Sequence, residues 1–418
     1  MVDACDARGA ALQILRKVRH GATFGGARDA ELSGLGDAER RLAHEIAAGV
    51  LRNRTRLDSQ LKPLVTAPWE RLPADLKDIL RIGTYQIDTL DRVPGHAAVN
   101  TSVELAKKTV GAKSSSLVNA VLRRLHRNFQ QRKELATPPD SLADQFSHPQ
   151  WLIDRWERTF GRDKTRELLE HNNRKPQLVL QPAKLSAQEL CDLLEQHSVT
   201  YHTASGGPGI IPKETRVGDL PGFADGAFVV QDPTQALIIE FAEVSPGDVV
   251  WDACAAPGGK TVGLARLGAR VIATDASQPR FKQLRETIYR TSADVELMIA
   301  DAEAHPFREQ SVDVLFLDVP CSGTGVMARH PDARWQLNPK RIEALIRQQE
   351  RLLQATWPVV RPGGCIVYST CSIEDEENTA QIDNFLRSHA QFARVKSDLF
   401  RFPGPNGDGG YAAKIVRS

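Results

Sequence analysis

The stretch DVVWDACAAPGGKT, residues 248–261, runs from a short apolar segment through Asp252 into a turn of small residues that opens a helix. Four later runs share that texture: ARVIATDAS (269–277), VELMIADA (295–302), VDVLFLDVP (312–320) and GCIVYSTCS (364–372). Helical patterns over 279–291 and 339–357 fall between them. Short apolar strands, buried on both faces and alternating with helices, predict an α/β fold with a doubly wound, mostly parallel, Rossmann-like sheet. Ligands of such sheets bind beyond the carboxyl ends of the strands. Asp252, Asp275, Asp301 and Asp318 close four of the runs and Cys371 the fifth, so the chemistry is expected there.

The turn itself sorts the ligands. Gly259-Lys260-Thr261 fit the end of a phosphate-binding loop, but the first glycine of that pattern would fall on Cys254. The dinucleotide pattern of three spaced glycines is absent as well. What remains is a nucleoside without pyrophosphate, such as S-adenosylmethionine, whose carboxylate and sulfonium suit a shorter turn. Small residues let backbone N–H groups approach it closely, and the helix N-terminus favours negative charge. Asp275, 23 positions after Asp252, stands where an acid grips ribose hydroxyls, and Asp301 is placed to accept from an adenine amino group.

Two cysteines open toward the same cleft, Cys321 in DVPCSGTG and Cys371 in STCS. Neither has a Cys or His neighbour at metal-ligand spacing, so no metal is expected. Cys191 and Cys365 read as small buried hydrophobes. A thiolate beside a methyl donor suggests chemistry on a pyrimidine. C5 of cytosine becomes nucleophilic once a thiolate has added at C6, which splits one hard step into easier ones. Spacing alone leaves open which cysteine attacks.

Outward from the sheet, residues 8–130 read as helices throughout, with Pro63, Pro68, Pro73 and Pro94 between them. ELATPPDSLADQ (134–145) reads as a linker, followed by a helical stretch from 149 to about 172 and a small strand-helix-strand unit. The expected organisation is an all-helical domain over 1–133, the linker, an α+β subdomain over 146–235 and the catalytic domain over 236–418. Charge supports the division. The chain carries 54 Lys and Arg against 52 Asp and Glu, yet residues 1–140 balance at +7 and the remainder at −5. A basic appendage on a slightly acidic body is expected to meet a polyanion. No apolar run approaches the ~18 residues of a membrane helix, and the N-terminus lacks a basic-then-apolar signal, so a cytoplasmic protein with reduced cysteines is expected.

DACAAPGGKT, DVPCSGTGV with RHPDARW, and YSTCSIEDEEN resemble the motifs of the Nol1/Nop2/Sun family of RNA 5-methylcytosine methyltransferases. LAHEIAAGVLRNRTRLD, DILRIGTYQI, VPGHAAVNTSVELAK and SLVNAVLRRL resemble the RNA-binding antitermination factor NusB. The resemblance implies that Cys371 is the nucleophile and that Cys321 assists product release. It also implies that Cys254, Ala255, Ala256, Pro257, Gly258, Gly259, Lys260, Asp275, Asp301 and Asp318 bind S-adenosylmethionine. Asp318 would in addition touch the target base, and Lys260 would position groups around it. The implied substrate is a cytosine of 16S ribosomal RNA, free or early in assembly, met by a monomer. Trp251 departs from the family pattern, as does GDGGYAAKI (407–415).

Competing expectations are a transfer RNA target, an inert RNA-binding assembly factor, and a nucleotide-dependent oxidoreductase or NTPase, the last disfavoured by the missing glycines. The target base should be unpaired or flipped, since a stacked base is out of reach. The basic helical domain should bind RNA without sequence preference and lose affinity steeply as salt rises from about 50 to 200 mM. Filter binding across that range checks this, and salt-insensitive binding would contradict it.

Overall fold

The computed structural model describes residues 6–131, 141–213 and 216–418. Two compact units emerge: residues 1–174 with 327–336, and residues 175–326 with 337–418. Most of the expected linker, 134–140, lies outside the described residues. Its end, from Ser141, caps the short helix Leu142–Phe146.

The first unit is helical. Ala7–Arg19, Phe24–Leu32, Asp37–Arg52, Arg54–Leu61, Ala74–Thr89, Gly95–Thr109 and Ala112–Gln131 bury one apolar stripe each around Leu12, Ile46, Leu57, Ile79 and Leu122. Close packing is enforced at Gly49, where a Cβ would fall 1.9 Å from Tyr85 Cζ. The stretch expected as one helix from 149 divides into Gln150–Phe160 and Arg162–Asn173, because Gly161 between them takes a φ of 79°. Much of the positive charge is paired internally: Arg81 Nε and Nη1 pair with Asp58 (2.7 Å) and Asp78 (2.8 Å), and Arg16 with Asp75 (2.5 Å). Lys107, Lys108, Lys113, Arg123, Arg124 and Arg127 are exposed on the last two long helices.

Residues 327–336 fall within the stretch expected to be catalytic, yet they pack in this helical unit. Asp332 Oδ2 accepts from the Phe24 N–H (2.9 Å), and Trp335 Nε1 donates to Leu51 O (2.7 Å). Arg334 is wholly buried, donating to Asn173 Oδ1 (2.7 Å), Asn172 O (2.9 Å) and Ser147 O (3.3 Å).

In the second unit a small antiparallel sheet has the order β2-β3-β1-β4, from Leu180–Pro182 (β1), Tyr201–Thr203 (β2), Ile210–Pro212 (β3) and Phe228–Val230 (β4). Helix Ala187–Gln196 covers it, started by a capping box between Ser186 and Glu189. The large sheet contains Val249–Asp252 (β5), Arg270–Asp275 (β6), Val295–Ile299 (β7), Val312–Asp318 (β8), Val360–Thr370 (β9), Phe392–Arg394 (β10), Leu399–Arg401 (β11) and Gly410–Arg417 (β12). Its order is β10-β12-β9-β8-β5-β6-β7, with β11 beside β12. β5 to β9 pair in parallel, and β12 runs antiparallel to β9. The Rossmann-like reading therefore holds. One expectation fails: β7 is not buried on both faces. It is the sheet edge, with Glu296, Met298 and Ile299 exposed. The departures also find their places. Trp251 is fully buried, bonded through Nε1 to Thr274 Oγ1 (2.9 Å) and packed on His305 and Phe307, and 410–417 forms β12. Among the described residues, no helix is long and apolar enough to cross a membrane.

Replacing Arg334 by Ala strips three acceptors of their charged donor in a buried site, a loss expected to cost about 2–4 kcal/mol. Chemical denaturation followed by tryptophan fluorescence measures it, and an unchanged midpoint would refute the anchoring role.

Candidate active site

The strand order reverses between β5 and β8, and the 253–259 turn leaves β5 at that point, where doubly wound sheets bind ligands. Gly258 takes a φ of 103°, and a Cβ there would come 2.9 Å from Leu284 Cδ1, so only glycine fits. Helix Gly259–Arg266 begins directly after it. Asp252 is buried beneath the turn. Its Oδ2 accepts from Thr261 Oγ1 (2.6 Å), while its Oδ1 is buried without a hydrogen-bond partner. Burial, reinforced by the charges of Asp318 and Asp275 and opposed by the Thr261 hydrogen bond, pushes its carboxyl up to about 7. The same burial and the same three aspartates hold the Cys254 thiol well above its ordinary value.

Asp275 ends β6 and is nearly buried. It accepts from Ser277 N–H (2.9 Å) and Ala256 N–H (3.4 Å) and pairs with Arg280 (3.3 Å). Arg280 also donates to Ala256 O (2.9 Å), stapling the turn to the end of β6. Lys260 Nζ meets Asp318 Oδ2 at 2.7 Å, and Ser369 Oγ donates to Asp318 Oδ1 at 2.8 Å. Asp301 stands two residues beyond β7. It is exposed, with its Oδ1 taking the Glu303 N–H (2.9 Å), and it bonds to none of the other expected site residues.

β8 and β9 pair in parallel with Asp318 opposite Ser369, so the loops that follow them leave side by side. Cys321 Sγ and Cys371 Sγ come within 3.2 Å although fifty residues separate them. The hydrogen bond with Cys371, then burial and the charge of Glu377, raise the Cys321 thiol well above its usual value. Gly325 N–H donates to Cys371 O (3.0 Å), and Gly325 has no room for a side chain against Cys371 O and Gly409. Among the described residues no group of three or more His, Cys, Asp or Glu could hold a metal ion.

Comparison with known proteins gives the family. Residues 240–414 match the family model described as 16S rRNA methyltransferase RsmB/F, residues 5–127 the NusB family, and residues 148–212 a Methyltr_RsmF/B-like, ferredoxin-like domain. A probable ribosomal RNA small subunit methyltransferase B from Synechocystis is 35% identical over 89% of this chain and 86% of its own length. The chain belongs to the 16S rRNA methyltransferase RsmB/F family. A ribosomal RNA small subunit methyltransferase B from Erwinia tasmaniensis is 31% identical over 98% of this RsmB/F-family chain and 97% of its own. Among solved structures, that of PH0851 covers 98% of both chains at a TM-score of 0.82 and 22% identity. That of NSun6 from Pyrococcus horikoshii with SFG covers 64% of this chain and 98% of its own, at 0.58 and 19%. At these identities the likeness shows the fold.

The sequence reading of this RsmB/F-family methyltransferase passed over Arg280, Gln349 and Glu377. Arg280 lies in an exposed, charged helix that gave no signal. Glu377 sits in the acidic run EDEEN, which reads as a solvated turn; only its place in a family motif could have marked it.

Asp252 gives a pH signature. Its folded-state pKa of about 7 stands above the 3.8 of an ordinary aspartate, so its neutral form stabilises the fold below pH ~4. That contribution, up to about 4 kcal/mol, is lost as pH rises through 7. Asp252→Asn should flatten the stability profile between about pH 4 and 8 in urea titrations. An identical slope in both proteins would contradict the burial argument.

Proposed function

We propose that the chain methylates C5 of a cytosine in 16S ribosomal RNA, using S-adenosylmethionine and a covalent bond between Cys371 and C6 of the base. The observation that carries this reading is the pair of thiols 3.2 Å apart at the ends of β8 and β9, with the Lys260–Asp318 pair at the end of β8. Family membership supports the methyl donor and the ribosomal target.

The residues present suit S-adenosylmethionine. Asp252, Asp275 and Asp318 gather negative charge, and Asp252 Oδ1 lacks a partner, which favours a cationic ligand. The turn of residues 254–260 would face the ligand with backbone, Asp275 would take its ribose, Asp301 its adenine and Asp318 its charged end. When bound, that group supplies an electrophilic methyl.

The chain's own part is to make C5 reactive and to release the product. Cys371 adds as thiolate to C6, and the displaced electron pair makes C5 enamine-like. After methylation the C5 proton passes to water, the C5–C6 double bond re-forms, and Cys371 leaves as thiolate. Cys321, kept protonated by its surroundings, donates a hydrogen bond to the departing sulfur. Lys260 holds Asp318 toward the base. The exposed basic residues of Gly95–Thr109 and Ala112–Gln131 supply attraction to the RNA backbone.

The test combines radiolabelled S-adenosylmethionine with protein-free 16S RNA and, separately, with bulk transfer RNA, followed by bisulfite sequencing of whichever is labelled. One labelled cytosine in 16S RNA is expected. Label in transfer RNA alone would discard the target, and no label with cofactor bound would favour the inert assembly factor. Cys371→Ala should abolish transfer. Cys321→Ala should leave enzyme trapped on RNA as a slow band on a denaturing gel.

A further inference from the structure

Glu377 lies fully buried in the turn Asp375–Glu377 and serves both thiol loops at once. Its Oε1 accepts from the Ser322 N–H (2.9 Å) and from Gln349 Nε2 (2.9 Å). Its Oε2 accepts from Ser372 Oγ (2.5 Å) and from Ser322 Oγ. Ser322 follows Cys321 and Ser372 follows Cys371, so one carboxylate grips the residue next to each thiol. Gln349, on helix Pro339–Thr356, extends the clamp by donating also to Pro320 O (3.0 Å), on the other side of Cys321. The turn is held in its own place: Tyr368 OH donates to Glu377 O (2.7 Å), and Asn378 bridges Thr370 Oγ1 (2.6 Å) and Ser372 O (3.0 Å).

A buried carboxylate with four donors is a costly group to keep if its only task is to fill space, since an apolar side chain would fill the same volume without desolvating a charge. We propose that Glu377 is a positioning residue that sets the register of the two cysteines and lays its carboxyl group more closely against the Cys321 loop than against the Cys371 loop, which makes the two thiols inequivalent. The proposal rests on the reading that Cys321 and Cys371 are the reacting thiols. It deepens that reading by giving a physical origin for two identical side chains playing different parts. The hydrogen bonds fix where each sulfur sits. The charge lies against the Cys321 loop through two contacts, Ser322 N and Oγ, and against the Cys371 loop through one. The direction in which the Cys321 thiol moves, to which Glu377 adds, agrees. Tyr368 on β9 lies in electrostatic reach of Glu377, Cys321, Tyr411 on β12 and Asp318 on β8.

The test reads each thiol separately. Iodoacetamide alkylation of the full chain is followed against pH, with Cys321 and Cys371 peptides quantified by mass spectrometry. Glu377→Gln keeps the size and removes the charge; it should move the Cys321 profile to lower pH and speed its alkylation at pH 8 by about tenfold. Ser372→Ala keeps the charge and cuts the Cys371 loop from the clamp; it should leave the Cys321 profile in place. Both variants should lower kcat by about tenfold or more, the worth of one hydrogen bond to a charged group, with KM for S-adenosylmethionine unchanged. A purely structural Glu377 would lower the melting temperature without moving the Cys321 profile, and that result overturns the proposal. So does a wild-type profile with wild-type kcat in both variants. Should Cys321→Ala and Cys371→Ala both transfer methyl at wild-type rates, the reading of the thiols falls instead, because alkylation needs no turnover.

Discussion

The parallel pairing of β8 with β9 is the constraint on which the site depends. With Asp318 opposite Ser369, each strand delivers its loop at the same height of the sheet. A slip of one residue would turn every side chain to the opposite face and separate the thiols. The register is held from several sides. Ser369 Oγ reaches Asp318, and Val319 N–H continues the ladder to Ser369 O. β12 closes the far side, with Tyr411 opposite Thr370. The antiparallel strand thus makes β9 an interior strand, fixed on both edges, and that rigidity is what a pair of sulfurs 3.2 Å apart requires.

Electrostatics at the strand ends follows from the same burial. Burial disfavours the charged form of Asp252, the neighbouring carboxylates of Asp318 and Asp275 add to that, and Asp252 moves toward neutrality. Lys260 and Arg280 each neutralise one member, Asp318 and Asp275, and leave Asp252 without a cation of its own. The thiols experience the opposite side of the same effect. At Cys321 the hydrogen bond with Cys371, burial and the nearby Glu377 charge raise the thiol above its usual value.

The sheet was legible because its strands announce themselves: each is a short apolar run ending on a polar residue, and Asp252, Asp275 and Asp318 indeed close β5, β6 and β8. β7 misled, because VELMI is apolar enough for an interior strand but sits at the edge, where its alternation carries no burial. β12 was missed for the converse reason. GDGGYAAKI opens with turn residues, and nothing local says that its small side chains fill the gap between β9 and β10. Local pattern also reports poorly on groups whose role is to reach across the sheet. Arg280 and Glu377 look like surface charges until the chain brings Ala256 or Ser322 to them.

The segment 327–336 makes the same point at the level of whole units. In sequence it lies within the stretch 236–418 expected as the catalytic domain, and its RHPDARW was matched to that domain's family motifs. In the fold it completes the helical unit instead, covering the first N–H of Phe24–Leu32 with Asp332 and the carbonyl of Leu51 near the end of Asp37–Arg52 with Trp335. Helix ends leave such groups open, and buried ones must find partners. A helical unit cut at residue 174 would lack the donors and acceptors that 327–336 brings, so the sequence boundary and the folding boundary differ. The ten residues 327–336 therefore belong to the helical unit although they follow the thiol loop in sequence.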